Sequence, residues 1–412
     1  MDLHAFQALR TPLGGEVLLA AQALVPDEAS YLTRFTALSR SYPPELCRAA
    51  LETAILRLEA IEKFPNAERM FFTRTALEQA THWEVSRYRA ARFQGLQHLM
   101  DLGCSIGSDT AALAAFAPTT GIDLDPVRLF MAQANLKELK PPQPTSFIQA
   151  DLSGSMPVRL NARNGLFFDP ARRDNQRRAF TVEDYQPPLP VIQHWLANCP
   201  NLGVKISPGV KIEEIEHFQA ELEFISLRGE LKEAVLWFGN LQTVKRRATI
   251  LPGPHSYSVP DELLDTIPGL AGNHAPHRQV LPISEPRAYL IEPDPAILRA
   301  GFIQALGLEL GASQLDPDIA YLTSDRLIET PFARAWKIES WMPFNLKELR
   351  AALRQKDIGS ITVKKRGSPI QPDELIRLLR LGKKQKAGHA ERILVLTHLR
   401  GRPIVIFCLT NP

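Results

Sequence analysis

The chain has 412 residues, of which 45% are hydrophobic and 23% are charged, and this composition excludes a disordered or fibrous protein. Its length exceeds what one ordinary hydrophobic core serves, so we expect two or three domains. The net charge of +3 is unevenly spread: residues 354–402 hold 13 Lys and Arg against 4 Asp and Glu, an excess of +9 that favours either a polyanionic partner or a solvated basic face.

The apolar runs, the cysteines and the N-terminus bear on where the protein works. The longest apolar runs, such as residues 17–25, fall far short of a bilayer span, and the opening Met-Asp-Leu-His lacks the basic segment of a secretory signal. The histidines are dispersed, and no CxxC pair occurs among the cysteines, which are Cys47, Cys104, Cys199 and Cys408. We therefore expect a cytoplasmic protein with no disulfide framework, no metal site and no membrane span.

The first 95 residues predict a helical region. Pro43-Pro44-Glu45 opens a run whose apolar residues recur at nearly 3.6-residue spacing as far as Ile61. Thr81 and Glu84 have the spacing of a capping box, which predicts a second helix from Thr81 to about Gly95. We assign residues 1–95 to an N-terminal helical region.

Residues 96–250 predict an α/β domain with a parallel sheet. Short apolar segments alternate with helical ones, as expected when helices cover both faces of such a sheet. The predicted strands cover residues 96–102, 120–124, 146–150, 165–168, 202–206, 224–227 and 233–238. The predicted helices cover residues 109–116, 127–139 and 189–198.

The rest of the chain begins with a stretch rich in Pro, Gly and His. Residues 251–330 are assigned to a connecting α/β segment, with a strand at 288–292 and a helix at 295–306. Residues 331–412 then predict a small α+β domain in the order β-α-β-α-β-β, which can bury one face of a small sheet under two helices. Its elements cover residues 334–342, 345–355, 359–365, 372–381, 393–399 and 403–409.

The sharpest motif is a Gly-rich turn directly after the first strand of the predicted sheet, Asp101-Leu-Gly-Cys-Ser-Ile-Gly107. Glycine lets a ligand approach the backbone closely, and the helix that follows offers free N–H groups. Taken alone, this spacing fits any nucleotide-binding turn or merely a tight connection.

Carboxylates also follow the next three predicted strands. Asp123 ends the second strand, about 20 residues on, where it can hold a ribose diol. Asp151 ends the third and can accept a hydrogen bond from an adenine amino group, and Asp169-Pro170 ends the fourth. Because open α/β sheets bind ligands at the carboxyl ends of their strands, four such motifs in order predict a single binding site.

The run from Asp101 to Pro170 resembles the class I S-adenosylmethionine-dependent methyltransferases, whose sheet is Rossmann-like. More closely, the chain resembles a bacterial methyltransferase family with a C-terminal THUMP-like domain. That family is itself similar to the trimethylguanosine synthases, which methylate the exocyclic amine of guanine in RNA. The motifs that carry the resemblance are Phe71-Phe-Thr-Arg74, Asp101 to Asp109, Gly121-Ile-Asp-Leu-Asp-Pro126, Phe168-Asp-Pro-Ala-Arg-Arg173 and Lys205-Ile-Ser-Pro-Gly209.

The resemblance implies a role for each residue of the site. Around the methionine part of S-adenosylmethionine it places Asp101, Gly103, Cys104, Ser105 and Gly107. Asp123 would hold the ribose hydroxyls, and the adenine would contact Leu124, Asp151 and Leu152. Asp169 and Pro170 would lie where the methyl group is delivered, with Asp169 accepting a hydrogen bond from a substrate amine.

Two positions depart from the usual methyltransferase pattern. Ser105 replaces a third glycine, which we expect to be tolerated if the backbone there keeps φ below zero. Amine methyltransferases usually continue Asp-Pro with a further proline and an aromatic residue, whereas this chain has Ala171 and Arg172. The aromatic platform for a flat base is therefore missing, and Arg172 and Arg173 can replace it by stacking on a base or by clamping a phosphate.

The remaining basic residues have two interpretations each. Arg172 and Arg173, with Arg177 and Arg178 beyond them, contact substrate phosphates or form a solvated loop. Lys205 follows a strand and faces the pocket as a substrate contact, or is a surface lysine. Three basic groups of the C-terminal domain fall at predicted turns, where they grip RNA phosphates or are solvated: Lys364-Lys365-Arg366, Lys383-Lys384-Gln385-Lys386 and Arg400-Gly401-Arg402.

We therefore expect a methyltransferase that uses S-adenosylmethionine, with RNA as its partner and a base amine as the leading target. A methyltransferase of a small molecule or protein is the first alternative. The second is an RNA-binding protein that keeps the fold without turnover. The sequence does not specify which RNA is used or the oligomeric state.

Overall fold

The computed structural model describes residues 1–172, 185–264, 281–379 and 390–410. Contacts divide the chain into two compact units, and the chain passes between them three times, twice within one β-hairpin and once between Lys245 and Arg246. Unit 1 comprises Met1–Glu223 and Lys232–Lys245, and unit 2 comprises Phe224–Leu231 and Arg246–Pro412. Within the described ranges, none of the helices combines the length and apolarity needed to cross a membrane. The boundaries assigned from the sequence after residues 95, 250 and 330 remain predictions.

Unit 1 begins with six helices, which agrees with the predicted helical region. They are α1 (Leu3–Leu9), α2 (Pro12–Ala23), α3 (Tyr31–Leu38), α4 (Pro44–Ala60), α5 (Arg74–Gln79) and α6 (Trp83–Ala90). Pro44 occupies the first turn of α4, where its missing N–H costs nothing. Eleven residues of α4 are buried, because α1, α2 and α3 all pack against it. This helix is the centre of the N-terminal core.

The start of α6 differs from the predicted capping box at Thr81. The helix begins at Trp83, and the ring nitrogen Nδ1 of His82 accepts a hydrogen bond from the Glu84 backbone N–H at 3.2 Å. The Thr81 hydroxyl instead accepts a hydrogen bond from the Lys205 ammonium at 2.9 Å. A tertiary contact with a charged donor has thus displaced the local cap.

The rest of unit 1 is the predicted α/β domain. Its central strands are β1 (His98–Leu102), β2 (Thr119–Asp123), β3 (Thr145–Gln149), β4 (Asn164–Phe168) and, after a two-stranded ribbon of β5 (Ala171–Arg172) and β6 (Tyr185–Gln186), β7 (Leu202–Ile206). The hairpin that joins the units consists of β8 (Glu221–Leu227) and β9 (Glu230–Trp237). The described helices between the strands are α7 (Ser108–Leu113), α8 (Pro126–Leu139) and α9 (Ile192–Leu196).

The strand order places the site. In unit 1 the order is β9-β7-β4-β1-β2-β3, with β1, β2, β3, β4 and β7 parallel and β9 antiparallel. The chain leaves β1 for β2 on one side and later returns to β4 on the other. A crevice therefore opens between the carboxyl ends of β1 and β4, the place where open α/β sheets bind ligands.

Unit 2 is built on a seven-stranded sheet in the order β13-β14-β12-β15-β18-β17-β16. Its strands are β12 (Tyr289–Pro293), β13 (Ser313–Asp316), β14 (Ile319–Ser324), β15 (Ala333–Pro343), β16 (Ile358–Lys365), β17 (Ala390–Leu399) and β18 (Arg402–Leu409). A separate hairpin of β10 (Arg246–Leu251) and β11 (His255–Tyr257) lies beside the last part of β8. The described helices are α10 (Asp261–Leu264), α11 (Pro295–Ala300), α12 (Ile303–Glu309), α13 (Leu346–Gln355) and α14 (Pro372–Leu379).

The last part of unit 2 has the predicted order β-α-β-α-β-β, from β15 to β18, and two helices cover one face of its sheet as expected. Leu349 and Leu353 of α13 and Leu375 of α14 are buried against Leu394 and Phe407 of the central strands. The opposite face is also buried, in a cluster that includes residues of β12, β13 and β14. Apolar residues on both faces of β17 and β18 account for this two-sided burial.

Three details of unit 2 differ from the sequence prediction. The helix expected at 295–306 is two helices, because Gly301 ends α11 in a left-handed conformation with φ +76°. The hairpin of β13 and β14 was not predicted, although Asp316-Pro317-Asp318 is a turn signal between two apolar runs. The expected small sheet is part of the larger one, because the 11-residue strand β15 pairs with β12 along its first half and with β18 along its second.

One buried amide ties the helical region of unit 1 to its sheet domain. The Asn135 side chain, fully buried in α8, accepts from the Phe71 N–H at 2.7 Å and donates to the carbonyls of Phe71 at 3.0 Å and Ile106 at 3.1 Å. Ile106 belongs to the Gly-rich turn, so the contact fixes this turn against the segment before α5.

We expect Asn135→Ala to lower the free energy of unfolding by roughly 2–4 kcal/mol, since three buried backbone groups lose their partner. Urea unfolding followed by circular dichroism measures the change. Gln133→Ala, at an exposed position of the same helix, serves as the control and should change stability by less than about 0.5 kcal/mol. Equal effects of the two substitutions would contradict this account.

Candidate functional site

The Gly-rich turn after β1 requires glycine at two positions. Gly103 and Gly107 both have φ +83°, and a Cβ on Gly103 would lie 2.6 Å from the backbone oxygen of Asp169. The ends of β1 and β4 can approach this closely only because Gly103 has no side chain. Gly107 then caps α7, whose first N–H groups border the turn.

Ser105 does not meet the condition set from the sequence. Its φ is +49°, in the left-handed region, where a non-glycine residue costs on the order of 1 kcal/mol or more. Its backbone N–H donates to Oδ2 of Asp123 at 2.8 Å, and this bond holds the strained residue in place. The condition of a negative φ is therefore not met, and the hydrogen bond to Asp123 stabilises a conformation that glycine would adopt without strain.

Asp123 and Leu124 lie where β2 ends. Asp123 is buried, and its second oxygen, Oδ1, accepts from the Asp125 N–H at 2.9 Å. Leu124, by contrast, is 63% exposed, which is unusual for a leucine adjoining a buried strand. The exposed leucine beside a fixed carboxylate offers an apolar surface next to a hydrogen-bond acceptor.

The end of β3 lies beside that of β2. The Gln149 side-chain amide donates to the Leu124 carbonyl at 3.2 Å. Asp151 is exposed, and its carboxylate accepts from the Ser153 N–H at 2.8 Å, whereas Leu152 is buried. The carboxylates that follow β1, β2 and β3 thus lie at one edge of the sheet, as their positions in the sequence predicted.

Asp101, at the end of β1, has an unsatisfied buried oxygen. Its Oδ2 accepts from the Thr110 hydroxyl at 2.6 Å, whereas its buried Oδ1 has no partner in the described part of the chain. Burial, together with the neighbouring Asp109 carboxylate, raises the pKa of Asp101 well above its usual range. A buried acceptor without a donor costs free energy, so this oxygen suits a ligand that brings a donor or a positive charge.

Asp101 belongs to a group that we call the buried charge cluster. Its members are the buried residues Asp101, Asp109, Glu233 and Arg89, together with the partly exposed pair Asp169 and Lys205. The Arg89 side chain is 2% exposed, pairs with both Asp109 and Glu233, and lies over the Phe167 ring at 3.9 Å. Four carboxyl groups thus face two cations, so acidic groups are in excess within the cluster.

Asp169 and Lys205 form the part of this cluster nearest to solvent. The Lys205 ammonium donates to Oδ2 of Asp169 at 2.8 Å, and the two side chains are 12% and 29% exposed for Lys205 and Asp169. Burial alone would lower the pKa of Lys205, but the carboxylates of Asp169, Glu233 and Asp109 outweigh it and raise that pKa. Lys205 is therefore a charged lysine whose side chain is only 12% exposed, and the surface alternative weighed from the sequence is wrong. Pro170, the next residue after Asp169, is buried.

The substrate-side arginines are only partly within the described chain. Arg172 lies in β5, which pairs with Tyr185 of β6, and Arg173, Arg177 and Arg178 lie outside the described residues. Tyr185 is an aromatic residue that the sequence did not single out. It is buried, and its hydroxyl accepts from the Ser207 N–H at 2.8 Å. It therefore supports the end of β7 and does not supply an exposed platform for a base.

Cys104 and the Phe71–Arg74 segment have structural roles. Burial raises the pKa of the Cys104 thiol, so this thiol is no nucleophile, and its sulfur packs near Gly121. Phe72 is fully buried against Phe64, and Arg74 pairs with Glu59. In the described portions of the chain, no group of three or more His, Cys, Asp or Glu is arranged to hold a metal ion.

Sequence reasoning missed Arg89, Asp109, Glu233 and Thr81 as members or partners of the site. Asp109 ends the quoted Gly-rich motif, so its position carried a signal. Arg89 lies in a helix with several other charged residues, and Glu233 directly follows Lys232 in its strand. Nothing local distinguishes these residues from solvated charges, because their pairing depends on the tertiary fold.

Comparisons with known proteins agree with this geometry. Residues 333–409 match the family model of a THUMP domain-like module, and residues 2–60 match a domain of unknown function. Two uncharacterized S-adenosylmethionine-dependent methyltransferases, from two strains of Mycobacterium tuberculosis, are each 37% identical over 344 residues, which covers 80% of this chain and 88% of theirs.

The fold also has a counterpart among solved structures. A crystal structure of a candidate methyltransferase from Porphyromonas gingivalis superposes with a TM-score of 0.74, covering 96% of this chain and 97% of that one at 20% identity. This likeness shows the fold alone. The identity to the mycobacterial proteins, over most of both chains, establishes the relationship: the chain belongs to the S-adenosylmethionine-dependent methyltransferases, and carries a THUMP-like module at its C-terminus.

Proposed function

We propose that this enzyme methylates RNA and that the methyl acceptor is a base amine. The observation that carries the proposal is the THUMP-like match at residues 333–409, in the most basic part of the chain. THUMP modules position structured RNA for the modifying enzymes to which they are attached. The choice of an amine rests on the resemblance of the Asp169-Pro170 motif to amine methyltransferases.

The residues at the strand ends fit the cofactor. S-adenosylmethionine carries a positive sulfonium and a positive ammonium against one carboxylate, and supplies an electrophilic methyl group. The excess of carboxyl groups in the buried charge cluster complements that charge. The buried Oδ1 of Asp101, which has no partner in the described part of the chain, would accept a hydrogen bond from the methionine ammonium.

The other turn residues would shape the same pocket. Gly103, Cys104, Ser105 and Gly107 would border the methionine part, beside the first N–H groups of α7. Asp123 keeps acceptor capacity on both oxygens for the ribose hydroxyls. Leu124 would pack on the adenine, with Asp151 and Leu152 on its other side.

Asp169 would align the acceptor. Methyl transfer is an in-line displacement, so the protein's main task is to hold the nucleophile in position. An aromatic amine is a weak base and needs no deprotonation before it attacks. A carboxylate that accepts one of its N–H bonds orients the lone pair and can take up the proton afterwards.

The described basic residues narrow the surface that could bind RNA. Lys364 and Arg366 both pair with Glu292, at 2.7 and 3.6 Å, and Lys364 lies within β16, not at a turn. The predicted grip of these two residues on phosphates is therefore not supported. Arg400 and Arg402 lie at the exposed β17–β18 turn. Lys383, Lys384 and Lys386 lie outside the described residues, and their role stays a prediction.

Asp101→Asn tests the cofactor assignment. We expect the Kd for S-adenosylmethionine to rise roughly 10- to 150-fold, since a hydrogen bond between charged groups is lost. Isothermal calorimetry measures the change, with Asp318→Asn, at an exposed position of unit 2, as the control. An unchanged Kd would remove Asp101 from the proposed site.

The same substitution should not reduce stability. Because the pKa of Asp101 is raised in the folded state, the unfolded chain releases this proton at lower pH than the folded one. Wild-type stability therefore falls as pH rises from the ordinary aspartate pKa towards the raised value, and Asp101→Asn removes this term. We expect the Tm of the variant, relative to wild type, to increase as the pH rises through the range above the ordinary aspartate pKa. A Tm difference that is constant over this range would contradict the buried, ligand-free carboxyl.

Leu124→Ala separates binding from folding more sharply. Leu124 is 63% exposed, so its loss should change the free energy of unfolding by less than about 0.5 kcal/mol. If it packs on adenine, the Kd for S-adenosylmethionine should rise about 5- to 30-fold. Leu19→Ala, at a 69% exposed position of α2, provides the matched control and should leave binding unchanged.

The dependence of RNA affinity on salt concentration tests the RNA proposal. Binding of total RNA from cells lacking the gene should weaken linearly on a log–log plot, because phosphate contacts release counterions. Reversing the charges of Lys383, Lys384 and Lys386 should lower the slope by about 2 to 3. A flat response, or label transferred only to protein or small-molecule fractions, would favour a different class of substrate.

A further inference from the structure

We propose that Lys205 is a positioning residue, which holds the Asp169 carboxylate charged and in one orientation for the methyl acceptor. This inference rests on the proposed role of Asp169 in methyl transfer. It replaces the sequence-based assignment of Lys205 as a substrate contact. It also assigns a role to Thr81, whose hydroxyl helps to hold the Lys205 ammonium in place.

The geometry turns Lys205 inwards. Its ammonium lies between two acceptors, Oδ2 of Asp169 at 2.8 Å and the Thr81 hydroxyl at 2.9 Å. A lysine that binds phosphate presents its ammonium to solvent, whereas the Lys205 side chain is 12% exposed. Both acceptors come from segments distant in the chain, so the lysine is fixed at its tip as well as at its backbone.

The contact engages only one oxygen of Asp169. Oδ2 is held by Lys205, and Asp169 has no further side-chain partner among the described residues. Its backbone is fixed as well, since the Asp169 N–H donates to the Leu102 carbonyl at 3.0 Å. Because Asp169 is held at its backbone and at Oδ2, its Oδ1 points in a defined direction. There it can accept an N–H bond from the amine that receives the methyl group.

The charges around the pair explain why a cation is needed there. Three other carboxyl groups belong to the same cluster as Asp169. The titratable and charged groups that face the pair are Asp101, Asp109, Glu233, Arg89 and Lys63. Arg89 pairs with Asp109 and Glu233, and Lys63 donates to three backbone carbonyls. Among the described residues, the cation that bonds Asp169 directly is therefore Lys205.

A fixed ion pair also determines what Asp169 can do. With the Lys205 ammonium bonded to Oδ2, the other oxygen of Asp169 can receive an N–H bond from an amine. Removing a cation from beside a carboxylate favours its protonated form in general, and a protonated carboxyl offers a donor that cannot orient the amine lone pair.

The test compares pH profiles of Lys205→Met, Lys205→Arg and Lys211→Met, an exposed lysine that follows the same strand. The assay uses labelled S-adenosylmethionine and total RNA from cells lacking the gene. Lys205→Met should lower kcat at pH 7 about 100-fold and move the acidic limb of the profile upwards by at least about 1 pH unit, so that activity recovers as pH rises. KM should change less than about threefold. Lys205→Arg should keep the wild-type limb, and Lys211→Met should behave as wild type.

Two results would overturn the inference. A raised KM with an unmoved profile would make Lys205 a substrate contact. A loss of activity that is equal at every pH would make it a structural residue. Should Lys205→Met fail to fold, Lys205→Gln, which can still donate to Asp169 but carries no charge, gives the same comparison.

The role of Asp169 and the nature of the substrate are checked separately. If Asp169→Asn keeps full activity, the proposed function of Asp169 is wrong whatever Lys205 does. If wild-type enzyme leaves RNA unlabelled, the RNA proposal fails. The role of Lys205 is then tested on the enzyme without substrate. There, a ¹³C carboxyl titration, assigned with Asp169→Asn, should show a higher Asp169 pKa in Lys205→Met than in wild type. An equal pKa would refute the positioning role.

Discussion

The buried Arg89 side chain joins three parts of unit 1 that are far apart in the sequence. From α6 it pairs with Asp109 at the start of α7 and with Glu233 in β9, and its guanidinium lies over the Phe167 ring of β4. The helical region, the Gly-rich turn and the sheet edge therefore meet at one cation. Removing one partner of such a buried pair typically costs several kcal/mol, because the charge left behind is neither solvated nor compensated. The position of the turn relative to the strand ends depends on this contact.

The end of β1 carries energetic costs that indicate a binding site for a cation. A core selected only for stability would balance its charges and satisfy its oxygens, whereas Asp101 keeps one oxygen without a partner and Ser105 keeps a left-handed backbone. Such costs at the end of β1 are typical of binding sites, where the ligand completes what the protein leaves open. The sheet order places them in the crevice between β1 and β4, so local strain and global topology point to the same position.

Much of this arrangement could be predicted from the sequence. The Gly-rich turn and the carboxylates after successive strands carry their spacing in the chain, so the edge of the sheet followed from local patterns. The cofactor class followed from the family resemblance that these motifs carry. The charge partners did not follow, because Arg89 and Lys205 look like solvated residues until the fold brings them to Glu233 and Asp169. Thr81 illustrates the limit in a single residue: its spacing to Glu84 is that of a helix cap, yet its hydroxyl bonds Lys205, 124 positions away. The seven-stranded sheet of unit 2 was not predicted for a related reason. The length of β15 does not show that it pairs with β12 as well as with β18.

The pairing of β15 with both β12 and β18 determines which part of unit 2 can be separated from the rest of the chain. The family match begins at Ala333, the first residue of β15, whose first half pairs with β12. A fragment cut at this point would lose β12 and expose a row of unpaired N–H and C=O groups, the kind of edge that recruits other chains and aggregates. The unit that is exchangeable by recombination or suitable for isolated expression is therefore larger than the recognisable module. It extends back at least through the strands that begin at Tyr289.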